Sequence, residues 1–227
     1  MGMIAAQRMT AALLGGSMST AQLETMLNTR QGLAAWKLCA ATDALARPLA
    51  TDPAARAVWL ASTKAMDAMA ALSTDGAAVI ADDSTLMASV FNTAARADAW
   101  FASATTRAAI WTSDKALTAL AGSATGKARA RACAKYTVQT MAGSSSEQTF
   151  LGPMGTPGEK FILIGWGTHA VGGITISGRR GSSAVGSLAG NVGTSTTAAL
   201  DNIVALLGPV KANITGGVTG YFGAVRV

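Results

Sequence analysis

Ser62-Thr63-Lys64-Ala65-Met66-Asp67-Ala68-Met69 opens on two hydroxyl residues and sets apolar side chains three, four, six and seven positions beyond the serine. A serine hydroxyl accepts from N–H groups that the first turn of a helix leaves without partners. Apolar residues at that spacing fall on one helix face. The stretch reads as a capped amphipathic helix. Ser19-Thr20-Ala21-Gln22-Leu23-Glu24-Thr25-Met26 is an earlier copy, and copies starting at Ser84 and Ser113 follow. Hydroxyl residues at Thr42, Thr51, Ser62, Ser73, Ser84, Thr93, Ser103, Ser113 and Ser123 keep a beat of nine to eleven residues. Counting in elevens from Val58 lands on Met69, Ile80 and Phe91, four positions expected to face a shared interior. A unit this small cannot bury its own apolar face, so it must stack on neighbouring units or on another chain.

Two arrangements satisfy the beat. If the chain turns at each hydroxyl residue, the result is a string of short helices that stack as a compact bundle or solenoid. If it runs through, eleven residues in three turns give a right-handed supercoil between chains. Pro48, Pro53 and the ladder of caps favour interrupted helices in the first half. Between Ser84 and Ala121 proline is absent, and a longer helix is compatible with the text.

The character of the chain changes at Gly143–Gly158, where Gly, Ser and Pro dominate. Downstream, Lys160–Trp166 is almost continuously apolar and Gly173–Ser177 alternates, both strand patterns. Gly178-Arg179-Arg180-Gly181 reads as a turn, and Ala184–Leu188, Val210–Thr215 and Val218–Val227 as further strands. Thr194–Leu207 fits either a strand or part of a helix. The expected fold is α+β: an Ala-rich, oligomerising helical repeat region over 1–142, a linker over 143–158, and a small β-sandwich or jelly-roll-like module over 159–227.

Half of the 227 residues are apolar, yet only 5% are aromatic and 13% charged. Sparse charge implies that much of the outer surface is an interface, and a homo-oligomer is expected. The net charge of +6 would permit contact with nucleic acid. The eleven Lys and Arg between Gln31 and Ser146 are, however, mixed with eight Asp. The one local excess is Lys127, Arg129, Arg131 and Lys135, with no aromatic interleaved, so a nucleic-acid partner is not expected. Cys39 and Cys133, with the single His169, are too few for a structural zinc site and read as free thiols. Neither a signal peptide nor a run of ~20 apolar residues able to span a bilayer is recognisable.

Groups able to do chemistry are scarce. His169 follows a strand with no carboxylate nearby in sequence, and Asp82-Asp83 reads as a helix cap before Ser84-Thr85. No catalytic, cofactor-binding or metal-binding residue is expected, and no cofactor. Residues placed for recognition are Trp166 at a strand end, Arg179 and Arg180 in a turn, and Tyr221 and Phe222 in the last strand. Trp166 could stack on a sugar, against the more ordinary reading that it packs in the core.

The Ser-Thr-x-x-Met-x-Ala-Met style of repeat over Thr42–Ser123, followed by a Gly-rich β module over Lys160–Val227, resembles tail-fibre and related appendage proteins of tailed bacteriophages. Trp59, Trp100, Trp111 and two prolines depart from the regular Ala/Val/Met text of such repeats. The resemblance implies a non-enzymatic virion component made in the host cytoplasm, commonly trimeric, whose partners are its own copies and other virion proteins. No catalytic residue carries over. A capsid-associated decoration protein and a carbohydrate-binding module are the alternatives.

Overall fold

A computed structural model describes residues 2–134, 147–149, 157–177, 179–180, 183–184, 198–207 and 211–227. Twelve helices stand among them: α1 (Gly2–Leu14), α2 (Thr20–Leu27), α3 (Arg30–Ala41), α4 (Asp43–Thr51), α5 (Pro53–Leu60), α6 (Thr63–Leu72), α7 (Thr74–Ala81), α8 (Ser84–Asn92), α9 (Ala94–Ala102), α10 (Ala104–Thr112), α11 (Asp114–Gly122) and α12 (Ala124–Ala132). The chain turns at every beat, including the stretch from Ser84 to Ala121 where a longer helix was compatible with the text. Often a single residue makes the corner. Thr42, Asp52, Ser73, Thr93, Ser103, Ser113 and Ser123 each end one helix and start the next in extended conformation.

At two beats the cap is the aspartate beside the hydroxyl residue, a departure at Asp52 and, at Asp83, the cap already read before Ser84-Thr85. Asp52 accepts from Ala55 N–H at 2.8 Å, and Asp83 accepts from Thr85 and Leu86 N–H at 2.9 and 3.0 Å. Thr51 and Ser84, their neighbours, lie inside helices. With Asp52 and Asp83 in place, the caps from Thr42 to Ser123 fall ten residues apart, with one gap of eleven between Ser62 and Ser73. The frame is tight. Seven residues after successive caps stand Trp36, Leu49, Trp59, Met69, Ile80, Val90, Trp100, Ile110, Leu120 and Ala130, every one buried. In α5 the frame therefore selects Trp59, and Val58 beside it is only half-buried. Met69, Ile80 and Phe91 are fully buried, as the count in elevens expected.

From α2 onward each helix packs on the next, and most pack on the one three places along: α3 on α6, α4 on α7, α7 on α10, α8 on α11, α9 on α12. The helices thus form a coil with about three to a turn, and polar bonds between turns join residues 28 to 38 apart. Trp36 Nε1 donates to Ala65 O at 3.0 Å, and Ser113 Oγ and Ser123 Oγ donate to Ala81 O and Phe91 O at 2.6 and 3.0 Å. The last two hydroxyls also accept from their own helices, at Ala116 N–H and Gly126 N–H. One buried hydroxyl therefore satisfies a helix N-terminus in its own turn and a carbonyl in the turn below. Trp36 and Trp59 are fully buried with their indole N–H groups bonded, Trp59 Nε1 donating to Leu49 O at 2.9 Å near the end of α4.

The expectation of an α+β chain ending in a β-sandwich is overturned. Helices make up most of the described chain, and no pair of stacked sheets is present among the described residues. The strands β1 (Glu147–Thr149), β2 (Lys160–Ser177), β5 (Ala198–Leu207) and β6 (Lys211–Arg226) form one antiparallel layer in the order β1-β6-β2-β5. The short strands β3 (Arg179–Arg180) and β4 (Ser183–Ala184) pair only with each other. Where two strands were expected over 210–227, β6 is one strand of 16 residues, and β2 runs on for 18, with one register shift between His169 and Val171. The cause is the glycines. Gly172 pairs with Gly216 and Val171 with Gly217, so glycines that read as turn signals lie opposite one another inside a continuous ribbon.

The root of the sheet closes the end of the coil. Register sets Ile162 opposite both Ala205 and Val225, and these three share one core with the helical residues. Lys160 Nζ lies 4.7 Å from the centre of the Trp111 ring. The expected linker over 143–158 lies mostly outside the described residues, β1 and the turn at Pro157–Gly158 excepted.

Candidate interaction surfaces

Strand pairing brings together two of the residues chosen from sequence. Trp166 in β2 stands directly opposite Tyr221 in β6, while Phe222 stands opposite Gly165. Arg179 and Arg180, expected in a tight turn, are in β3 opposite Ala184 and Ser183, away from Trp166 in the pairing. His169 pairs with Val218 and Ala198. The side chains of these residues lie outside the described part of the structure.

The charges that looked mixed along the sequence are largely bonds between turns of the coil. Arg96 reaches Asp67 through Nε at 3.0 Å and Nη2 at 2.8 Å, tying α9 to α6. Arg47 meets Asp75 at 3.1 Å, Lys115 meets Asp82 at 3.2 Å, and Arg129 meets Asp98 at 3.6 Å. Arg129, part of the basic run, thus has a carboxylate partner, and Lys135 lies outside the described residues. Asp82 and Asp83, the acidic pair, are engaged by Lys115 and by the start of α8, which agrees with their reading as cap chemistry. These pairings leave little of the basic run or the acidic pair to act as a concentrated charge site.

Neither cysteine is bonded to the other. Cys39 is buried, receiving a hydrogen bond from Thr10 Oγ1 at 3.5 Å and donating to Ala6 O at 3.3 Å, whereas Cys133 is exposed. Burial pushes the Cys39 thiol up from its ordinary range, against the smaller opposing effect of the Thr10 hydrogen bond. A thiol held protonated in this way is a poor nucleophile and serves as a packing group.

Two grooves show what the surface offers. One, of about 560 Å³, lies between α5 and α7, walled by Leu60 and Val79 and rimmed by Arg56, Asp82 and Asp83. The other, of about 550 Å³, lies between α1 and α2 and is lined by Ile4, Ala5, Arg8, Ala12, Met18 and Met26. The large apolar side chains most open to solvent among the described residues are Ile4 (59% exposed), Met3, Leu72 and Leu14. Three of the four belong to α1. Sequence reasoning missed this face because α1 lacks the hydroxyl punctuation that drew attention to later helices. The signal that would have found it is apolar spacing on two sides of one helix.

Comparison of the chain with protein-family models and with curated proteins finds no match. Among the described residues no helix is long and apolar enough to cross a membrane.

Proposed function

We propose that the chain is a non-enzymatic structural protein of a bacteriophage virion, a short trimeric fibre or appendage at the tail or collar. The observation that carries this reading is the use of residues in the coil. Cap hydroxyls, indole N–H groups and arginines with carboxylates are spent on joining one turn to the next, at 2.6–3.6 Å. A coil of this kind is a building element, and stacked repeats extend by adding turns with their open ends as natural joints. The resemblance of the repeat style to phage appendage proteins supplies the biological setting. The coil would serve as the stalk or base, and the sheet with Trp166 and Tyr221 would face other virion proteins or a host-surface glycan.

The test is mass and position. Purified protein should have a native mass three times 22.8 kDa, and antibody against the chain should label the tail or collar of intact particles. A folded protein that stays at the monomer mass, or particles without label there, would overturn the proposal.

A further inference from the structure

We propose that the exposed face of α1 is a seam along which copies of this chain associate, each copy's α1 lying in the α1/α2 groove of its neighbour. This deepens the self-assembly reading above and rests on it. Three independent features carry it.

The first is the double-sided character of α1. Ala6, Met9, Thr10 and Leu13 are buried in the chain's own core. On another side of the same helix, Ile4, Gln7, Ala11 and Leu14 are all exposed, at spacings of three, four and three. That is the heptad spacing with which helices of separate chains pack side by side, and one polar residue among the apolar ones is a known way of setting register. Two heptads would be too short to associate as free peptides. Here the helix is already ordered by its packing on α3, α4 and α5.

The second is the repeat frame. Met26 stands seven residues after the Ser19 cap, the position that is buried in all the later helices α3 to α12. In α2 it is only half-buried, and with Met18 it lines the groove beside α1. The later positions are covered by neighbouring turns of the coil or, in the last turn, by the root of the sheet, and this one lies at the end of the coil that the sheet does not close. A helix laid in the groove would restore the missing neighbour.

The third is charge. Arg8 on the groove wall and Glu24 on α2 form no ion pair with any described residue, although they are the only charged residues of the first two helices. A second copy brings an opposite charge to each. The chain as a whole carries +6, so copies approach most easily through a face with few charges of balanced sign. A second copy of this chain satisfies all three features, since it supplies an exposed heptad helix, apolar cover for Met26, and the counter-charge.

Sedimentation of the full chain at micromolar concentration tests the seam. Wild type should run at a multiple of 22.8 kDa. Ile4→Asp and Leu14→Asp should each weaken association by about tenfold or more, shifting the boundary to monomer with the helical circular dichroism unchanged. Leu72→Asp, equally exposed but on α6, should leave the mass alone. Arg8→Glu and Glu24→Arg should each weaken association, and the double swap should restore part of it, a rescue that misfolding cannot imitate. If wild type is oligomeric and the Ile4 and Leu14 variants stay so, the seam is wrong and self-assembly stands by another face. If the double swap fails to recover association lost in the single swaps, the charge pairing is wrong and the seam with it. If wild type is monomeric, the self-assembly reading falls together with the seam.

Discussion

Replacing Gly32 with alanine should destabilise this protein, although the same change in an ordinary helix stabilises it. Gly32 is the third residue of α3, where alanine normally gains about 0.8–1 kcal/mol over glycine. A Cβ at this position would lie 2.1 Å from Met26 O and 2.7 Å from its carbonyl carbon, against the 3.4 Å at which ordinary contact begins. The carbonyl cannot simply retreat. It accepts from Thr29 N–H at 2.9 Å and from Thr29 Oγ1 at 2.8 Å, and the same hydroxyl accepts from Gly32 N–H at 3.0 Å. Overpacking costs about 1–3 kcal/mol, and each hydrogen bond lost as the corner opens costs about 0.5–1.5 kcal/mol. Set against the propensity gain, the net loss is about 1–3 kcal/mol. For a chain of this size 1 kcal/mol corresponds to about 2–4 °C, so thermal unfolding should move down by roughly 2–12 °C. Gly122→Ala is the matched control, since nothing lies within 4 Å of a Cβ there. It should hold or raise the melting temperature, by up to about 4 °C. Gly32→Ala melting at or above wild type would refute the account of the corner.

Phe91→Ala should cost about 3–5 kcal/mol in denaturant unfolding, because the ring is fully buried and stacked 6.0 Å from Phe101. Ser123→Ala removes both the acceptor for Gly126 N–H and the donor to Phe91 O, and should cost about 1–2 kcal/mol. Thr93→Ala, at a corner without a side-chain cap bond, should cost clearly less in the same assay. Alkylation of the native protein should modify Cys133 and spare Cys39 until unfolding, and rapid reaction of both thiols would contradict the burial of Cys39. Limited proteolysis within 143–158 should leave fragments that stay together on gel filtration, because Ile162, Ala205 and Val225 belong to the helical core. Clean separation of two folded pieces would show that the root of the sheet does not close the coil.

Sequence by itself determined the beat, the presence of short helices and most of their starting points. Capping is local chemistry: a hydroxyl or carboxylate side chain meets an N–H two or three residues on, so its signature needs no knowledge of the rest of the fold. Where two cap-capable residues stand side by side, locality fails to choose. Asp52 and Asp83 won over Thr51 and Ser84 because of where the chain turns, and the interior position in α5 moved from Val58 to Trp59 with the frame. Short helices stacked as a bundle or solenoid were legible, but which turn bonds to which was not, because those bonds join residues 28 to 38 apart, such as Arg47 to Asp75 and Lys115 to Asp82. Nothing in a short window says which acid an arginine will meet. The single-layer sheet was hidden for a related reason: a glycine that ends a strand and one that faces another glycine across a ribbon look alike until the register sets Gly172 against Gly216. The exposed apolar side of α1 belongs to the same class. Its spacing is written in Ile4, Gln7, Ala11 and Leu14, but only packing decides that the core takes the Met9 and Leu13 side and leaves this one to solvent.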